Sequence, residues 1–139
     1  MSDLEMAMRL VLALLLGGVI GLEREWAQKP AGFRTNILVS LGTAVFMVLA
    51  LRLVADYPQF AGEITRIAAG VITGIGFLGA GTILRTEKDV QGLTTAATIW
   101  LVCGIGMAAG TGYYFLAGFS AVLGLIVLRL LERVERKLK

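Results

Sequence analysis

Glu23, Arg24 and Glu25 stand together at the end of an apolar run, and Arg34, Thr35 and Asn36 open the next one. Opposed charges beside Gly21, Gly32 and Trp26 are more than a solvated loop requires. A second group repeats the theme: Arg85 leaves a third apolar run, and Asp89 precedes Thr94, Thr95 and Thr98 at the start of a fourth. Two chemistries are open to this set. Arg24, Arg34 and Arg85, with the free N–H groups of two helix N-termini, could hold an anion such as phosphate. Glu23, Glu25 and Asp89, with backbone carbonyls, could hold a hydrated Mg2+ instead. The structural alternative is a salt-bridge network that ties two hairpins together. Glu23, placed just beyond a helix C-terminus where the dipole disfavours an anion, calls for a partner such as Arg24 or Arg34.

Other chemistries are poorly supplied. The 139 residues contain no histidine, so the commonest general base and metal ligand is missing. The single cysteine, Cys103, lies in an apolar run and reads as a small buried hydrophobe. Gly74-Ile75-Gly76-Phe77-Leu78-Gly79 fits GxGxxG literally. That pattern binds dinucleotides only where a strand turns into a helix, and here it sits inside an apolar span. Close helix packing, with a local unwinding as a variant of it, is the reading. Enzymatic activity is not expected, and neither is a cofactor, Mg2+ being the one ion the charged face could take.

The elements that must carry these residues are membrane helices. Hydrophobic residues make up 57% of the chain and charged ones 17%, with a mean hydropathy of +0.80, so a lipid-facing surface is expected. Five apolar segments are predicted: Leu4 to Leu22, Thr35 to Val54, Ile67 to Leu84, Leu93 to Ala109 and Tyr113 to Leu131. Arg9 and Arg52 lie near segment ends, where they can snorkel. Leu93 to Leu128 is free of charge and would run about 54 Å as one helix, too long for one crossing, so a turn is placed at Gly110-Thr111-Gly112. Asp3 and Glu5 precede the first run, which is expected to be retained as a helix rather than cleaved as a signal peptide.

The charges orient the chain. One side carries Arg9, Arg52 and Arg66; the other carries Arg24, Lys29, Arg34, Arg85, Lys88, Arg129, Arg133, Arg136, Lys137 and Lys139. The positive-inside rule puts the N-terminus outside and the C-terminus in the cytoplasm of a bacterial inner-membrane protein. The net charge of +3 therefore serves orientation and lipid contact, and no nucleic acid is expected. The fold class is all-α and polytopic, with a transmembrane domain over 1–131 and a basic tail over 132–139. In that tail Glu132/Arg136 and Glu135/Lys139 stand at helical spacing.

Glycine occurs 18 times, much of it within the helices. Gly17/Gly21, Gly70/Gly74 and Gly106/Gly110 form GxxxG pairs, and Ser120/Gly124 a related one, which lets helices approach closely in lipid. Gly76, Gly79 and Gly81 extend the small-residue surface of the third segment. Five helices cannot use every such face internally, so other membrane proteins and a second copy in a homodimer are the expected partners, besides the lipid bilayer. The two hairpins also echo each other at an offset of about 60, aligning Gly21/Gly81, Gly32/Gly92 and Thr35/Thr95.

Three stretches together resemble the MgtC/SapB family of bacterial membrane proteins: Gly21 to Glu25 with Ala31 to Thr35, Gly74 to Gly81 through Arg85, and Val90 to Trp100. The resemblance spans nearly the whole chain. It implies a role in adaptation to magnesium limitation and, in pathogens, survival inside host cells. It also implies action on other membrane proteins, such as the F-type ATP synthase, and a link to phosphate uptake. The expected function is regulation through binding of membrane proteins, the alternatives being a small transporter or channel for Mg2+ or another ion, and a scaffold whose charges only lock its hairpins.

Overall fold

A computed structural model of the chain describes residues 1–132 and 134. Helix α1 spans Asp3–Trp26, α2 Phe33–Asp56, α3 Glu63–Ala80, α4 Leu93–Thr111 and α5 Tyr114–Ile126, the last continuing as a wider π-helical turn over Val127–Leu131. A 3-10 turn, Pro58–Phe60, joins α2 to α3, and a two-residue antiparallel hairpin, β1 Leu84–Arg85 with β2 Val90–Gln91, joins α3 to α4. Five helices are long and apolar enough to cross a bilayer, the fifth counted through Leu131. The molecule is therefore all-α and polytopic, as expected.

Local chemistry sets the ends. Ser2 Oγ accepts from Glu5 N at 3.2 Å, and Asp3 and Glu5 favour the positive end of α1. α4 stops where Gly112 takes φ of +88°, with Tyr113 N donating to Ala108 O and Gly112 N to Ala109 O, a Schellman closure that only glycine enters without strain. That is the turn expected at Gly110 to Gly112.

α4 is the central helix and packs against all four others. Its apolar character runs all round rather than along one stripe, the pattern of a helix surrounded by protein. In its membrane window 56% of residues are buried, against 6% in α3, so one helix is enclosed and another nearly bare. Small side chains dominate the core, with Ala13, Ala44, Ala109, Ala117 and Ala121 between Ile20, Ile99, Val102 and Ile105. The packing is close because glycines face backbone: a Cβ on Gly17 would stand 2.7 Å from Asn36 O, one on Gly21 2.8 Å from Phe33 Cα, and one on Gly110 2.7 Å from Ala44 O. A Cβ on Gly106 would collide with Ser40 O and Thr43 Oγ1, and one on Gly124 would lie 2.7 Å from Leu101 Cδ2. A buried hydroxyl joins α2 to α1, Ser40 Oγ donating to Ala13 O at 2.7 Å, while Thr43 Oγ1 shares its proton between Ser40 O of its own helix at 3.0 Å and Cys103 O of α4 at 3.3 Å.

Several expectations are corrected. α1 runs one turn past Leu22, so Glu23 and Arg24 lie inside the helix rather than beyond it, and both are buried. α3 begins at Glu63 and ends at Ala80, because Thr82 N and Thr82 Oγ1 both bond Gly79 O and turn the chain into the hairpin that takes Leu84. The Gly74 to Gly79 stretch is neither unwound nor closely packed throughout: α3 is continuous, and Gly70, Gly74 and Gly76 have nothing within 4 Å of a Cβ position. A Cβ on Gly79 would lie 3.4 Å from Ala96 O, while one on Gly81 would meet carbonyls of its own turn. Arg9 does not snorkel freely; its side chain is part-buried, pairs with Glu5 and donates from Nη1 to Gly110 O at 2.9 Å. The aligned hairpin positions are not equivalent, since Gly32 has φ of −81° and Gly92 of +88°, and Thr35 is exposed where Thr95 is buried. The expected tail pairs Glu132/Arg136 and Glu135/Lys139 each include a residue outside the described ones, Arg136 in the first and both members of the second.

Candidate functional site

The charged residues collect on the face formed by the C-terminal ends of α1, α3 and α5 and the N-terminal ends of α2 and α4. Part of the motif there builds the fold. Glu25 Oε2 accepts from Phe33 N at 2.9 Å, so the end of α1 caps the start of α2. A Cβ on Gly32 would strike that same carboxylate, which explains the glycine. Asn36, fully buried, donates from Nδ2 to Ala31 O at 2.6 Å and Gly32 O at 2.9 Å, clamping a turn in which Gln28 and Ala31 hold positive φ of 52° and 55°. In α4, Thr98 Oγ1 donates back to Thr94 O at 2.7 Å. Asp89 serves its own turn, its Oδ1 accepting from Val90 N at 2.8 Å.

Glu23 and Arg24 are 4% and 3% exposed, and the closest approach between them is 4.0 Å, from Arg24 Nη1 to Glu23 Oε2. The expected partnership exists, at the outer limit of an ion pair. Arg24 Nη2 also donates to Thr95 Oγ1 at 3.4 Å, which links α1 to the first turn of α4. Two atoms of this pair, Glu23 Oε2 and Arg24 Nε, are buried without a hydrogen bond among the described residues. Buried charge so loosely compensated is costly, of order several kcal/mol.

The structure divides the sequence-derived set instead of merging it. Arg24, Thr94 and Thr95 line one cavity of about 540 Å³, together with Lys29, Gly92 and Glu132. Glu25, Arg34 and Thr35 line another, of about 420 Å³. Arg34 and Arg85 are exposed and do not join Arg24, so the three arginines form no common anion site. Glu23, Glu25 and Asp89 do not converge either, and among the described residues no group of three His, Cys, Asp or Glu side chains is placed to hold a metal ion. Lys29 and Glu132, which approach each other at 3.8 Å, were missed as site residues. The positive-φ turn that brings Lys29 to α4 has no composition signal beyond the following Pro30.

A different feature lies within the membrane span. α2 and α3 splay to leave an apolar groove of about 720 Å³, floored by Gly42, Gly70 and Gly74 and walled by Phe46, Ile67 and Leu78. Among the described residues nothing lies within 4 Å of a Cβ position on any of the three glycines. One of the GxxxG pairs, Gly70/Gly74, is thus presented outward.

The sequence matches the family profile described as the MgtC family over residues 10–137. It is 44% identical over 133 residues to an "Uncharacterized protein" of Haemophilus influenzae, covering 92% of this chain and 56% of that one. Identity to the Escherichia coli K12 protein named "Putative magnesium transporter YhiD" is 41% over 137 residues, covering 96% and 64%. Identity to "Protein MgtC" of Salmonella typhimurium LT2 is 48% over 107 residues, covering 77% and 44%. The chain thus spans about half the length of the curated relatives it matches. No solved structure matches it.

Proposed function

This chain belongs to the MgtC family, and on that premise we propose that it is a non-enzymatic regulator in adaptation to magnesium limitation that works by docking helices of other membrane proteins. It is a multi-pass bacterial membrane protein. The observation that carries the proposal is the groove between α2 and α3, where Gly70 and Gly74 present an unused helix-packing surface in lipid. Small residues on such a face let a partner backbone approach closely, and van der Waals packing is what holds membrane helices together. The membrane sector of the F-type ATP synthase is the partner that the family resemblance implies, and a second copy is the other helix donor. Ten Lys or Arg residues against three favour a cytoplasmic position for the charged face, in the inner membrane.

The name of the Escherichia coli relative favours a second reading, transport of Mg2+. Against it, glycine-to-backbone contacts fill the junction of α1, α2 and α4, and the hydroxyls of Ser40 and Thr43 there are consumed by helix carbonyls. Vesicles holding purified protein separate the two. Co-reconstitution with ATP synthase should reduce ATP-driven proton pumping, Gly74→Leu should relieve that inhibition, and Mg2+ entry should match protein-free vesicles. Protein-dependent Mg2+ entry, with pumping unaffected, would replace regulation by transport.

A further inference from the structure

We propose that the cavity between α1, the β1–β2 hairpin, α4 and α5 binds the phosphodiester group of an anionic phospholipid. Its floor is the N-terminus of α4, a helix of 19 residues that begins at Gly92 with no side-chain cap. The first internal bond there is Ala96 N to Gly92 O, which leaves the preceding N–H groups directed out of the helix with its positive dipole end. Arg24 supplies an independent reason for a ligand. Its side chain is 4% exposed, the residue lines this cavity, and its Nε–H has no acceptor among the described residues. Thr94 Oγ1 lines the cavity as well and makes no hydrogen bond among the described residues, so it can donate to a ligand oxygen.

Charge selects the class of anion. Arg24 is balanced in part by Glu23 at 4.0 Å, and Lys29 by Glu132 at 3.8 Å. With these opposed, the surplus positive potential is the dipole of α4, equivalent to roughly half a charge. That suits a singly charged ester better than a phosphate dianion, which would also meet the Glu132 carboxylate on the cavity wall. The Lys29–Glu132 bridge is part-exposed and weak, so Lys29 can turn to an incoming oxygen.

Surroundings select the source. Leu93, Val127 and Leu131 line the same cavity and are each more than half exposed, giving it an apolar side continuous with the lipid-facing surface of α4 and α5. Trp26, 71% exposed with Arg129 5.8 Å from its ring centroid, marks the headgroup level close by. A phosphodiester bearing acyl chains meets both the polar floor and the apolar side; inorganic phosphate uses only the floor.

The test is binding of short-chain phosphatidylglycerol, phosphatidylcholine and inorganic phosphate to the full chain in neutral detergent, followed by native mass spectrometry. Phosphatidylglycerol should bind about tenfold more tightly than phosphatidylcholine, whose choline cation cancels the ester charge that the positive end of α4 attracts. Lys29→Gln should weaken it about fivefold, and Lys29→Arg should restore it. Thr94→Asp places a carboxylate in the first turn of α4, which favours the helix yet should weaken lipid binding, a combination that a purely structural role would not give. Arg52→Gln, the same loss of charge at the opposite end of the bundle, should change nothing. These exposed substitutions keep the test decisive even if Arg24→Gln fails to fold. Equal binding of both lipids, unmoved by Lys29→Gln and Thr94→Asp, would overturn the proposal. Displacement of phosphatidylglycerol by an equal concentration of inorganic phosphate would overturn the ester assignment in favour of a free anion.

Discussion

Gly17, Gly21, Gly106 and Gly110 are pressed against neighbouring backbone in the α1–α2–α4 core, whereas Gly70 and Gly74 open onto a groove with nothing within 4 Å. The spacing is the same in both regions, and its use is opposite. In the core, three helices meet and the missing Cβ atoms become interhelical contacts. At α3, the adjacent α2 stands off and the glycine surface stays available. A GxxxG pair therefore states that close approach is permitted, and the fold decides whether the approaching backbone is internal or foreign.

Substitutions sharpen this contrast. The largest effect is expected for Gly106→Leu, whose side chain has only Ser40 and Thr43 to displace; a loss above about 4 kcal/mol should appear as failure to accumulate in the membrane. Ser40→Ala removes the buried bond to Ala13 O and should cost about 1 kcal/mol, measured by thermal unfolding in detergent. Gly74→Leu, though a far larger change in volume, should alter stability by less than about 0.5 kcal/mol, because its side chain enters the groove. Thr73→Ala, on the exposed side of α3 where the hydroxyl only bonds back to Ala69 O, should be indistinguishable from the parent in the same assay. If Gly74→Leu were as damaging as Gly106→Leu, the two regions would not differ as described.

The number of helices and the turn at Gly112 are legible in the sequence because hydropathy, length limits and glycine placement report on each segment alone. What is not legible depends on neighbours. Glu23 and Arg24 read as a helix exit because charge in an apolar chain suggests an interface; burial inside α1 follows from packing against other helices, which no local pattern reports. Arg34 and Arg85 belong by sequence with Arg24, but the turn clamped by Asn36 and the hairpin of Leu84 and Arg85 point their positions elsewhere. Lys29 replaces them at the cavity through a turn held in positive φ at Gln28 and Ala31. Arg9 likewise reads as a snorkelling residue, while the structure makes it the cap of α4, an interaction across 101 positions in the chain.

The central claim, that the α2–α3 groove receives a partner helix, is tested most directly by photo-crosslinking in native membranes from two phenylalanines of similar exposure. Phe46, 52% exposed, lines the groove, and Phe119, 50% exposed, lies on α5 outside it. Replacing each with a benzophenone amino acid should give a discrete protein adduct from position 46, abolished by Gly74→Leu, and only lipid adducts from position 119. Lipid adducts alone from both positions would contradict the account and leave the groove as a surface for the bilayer.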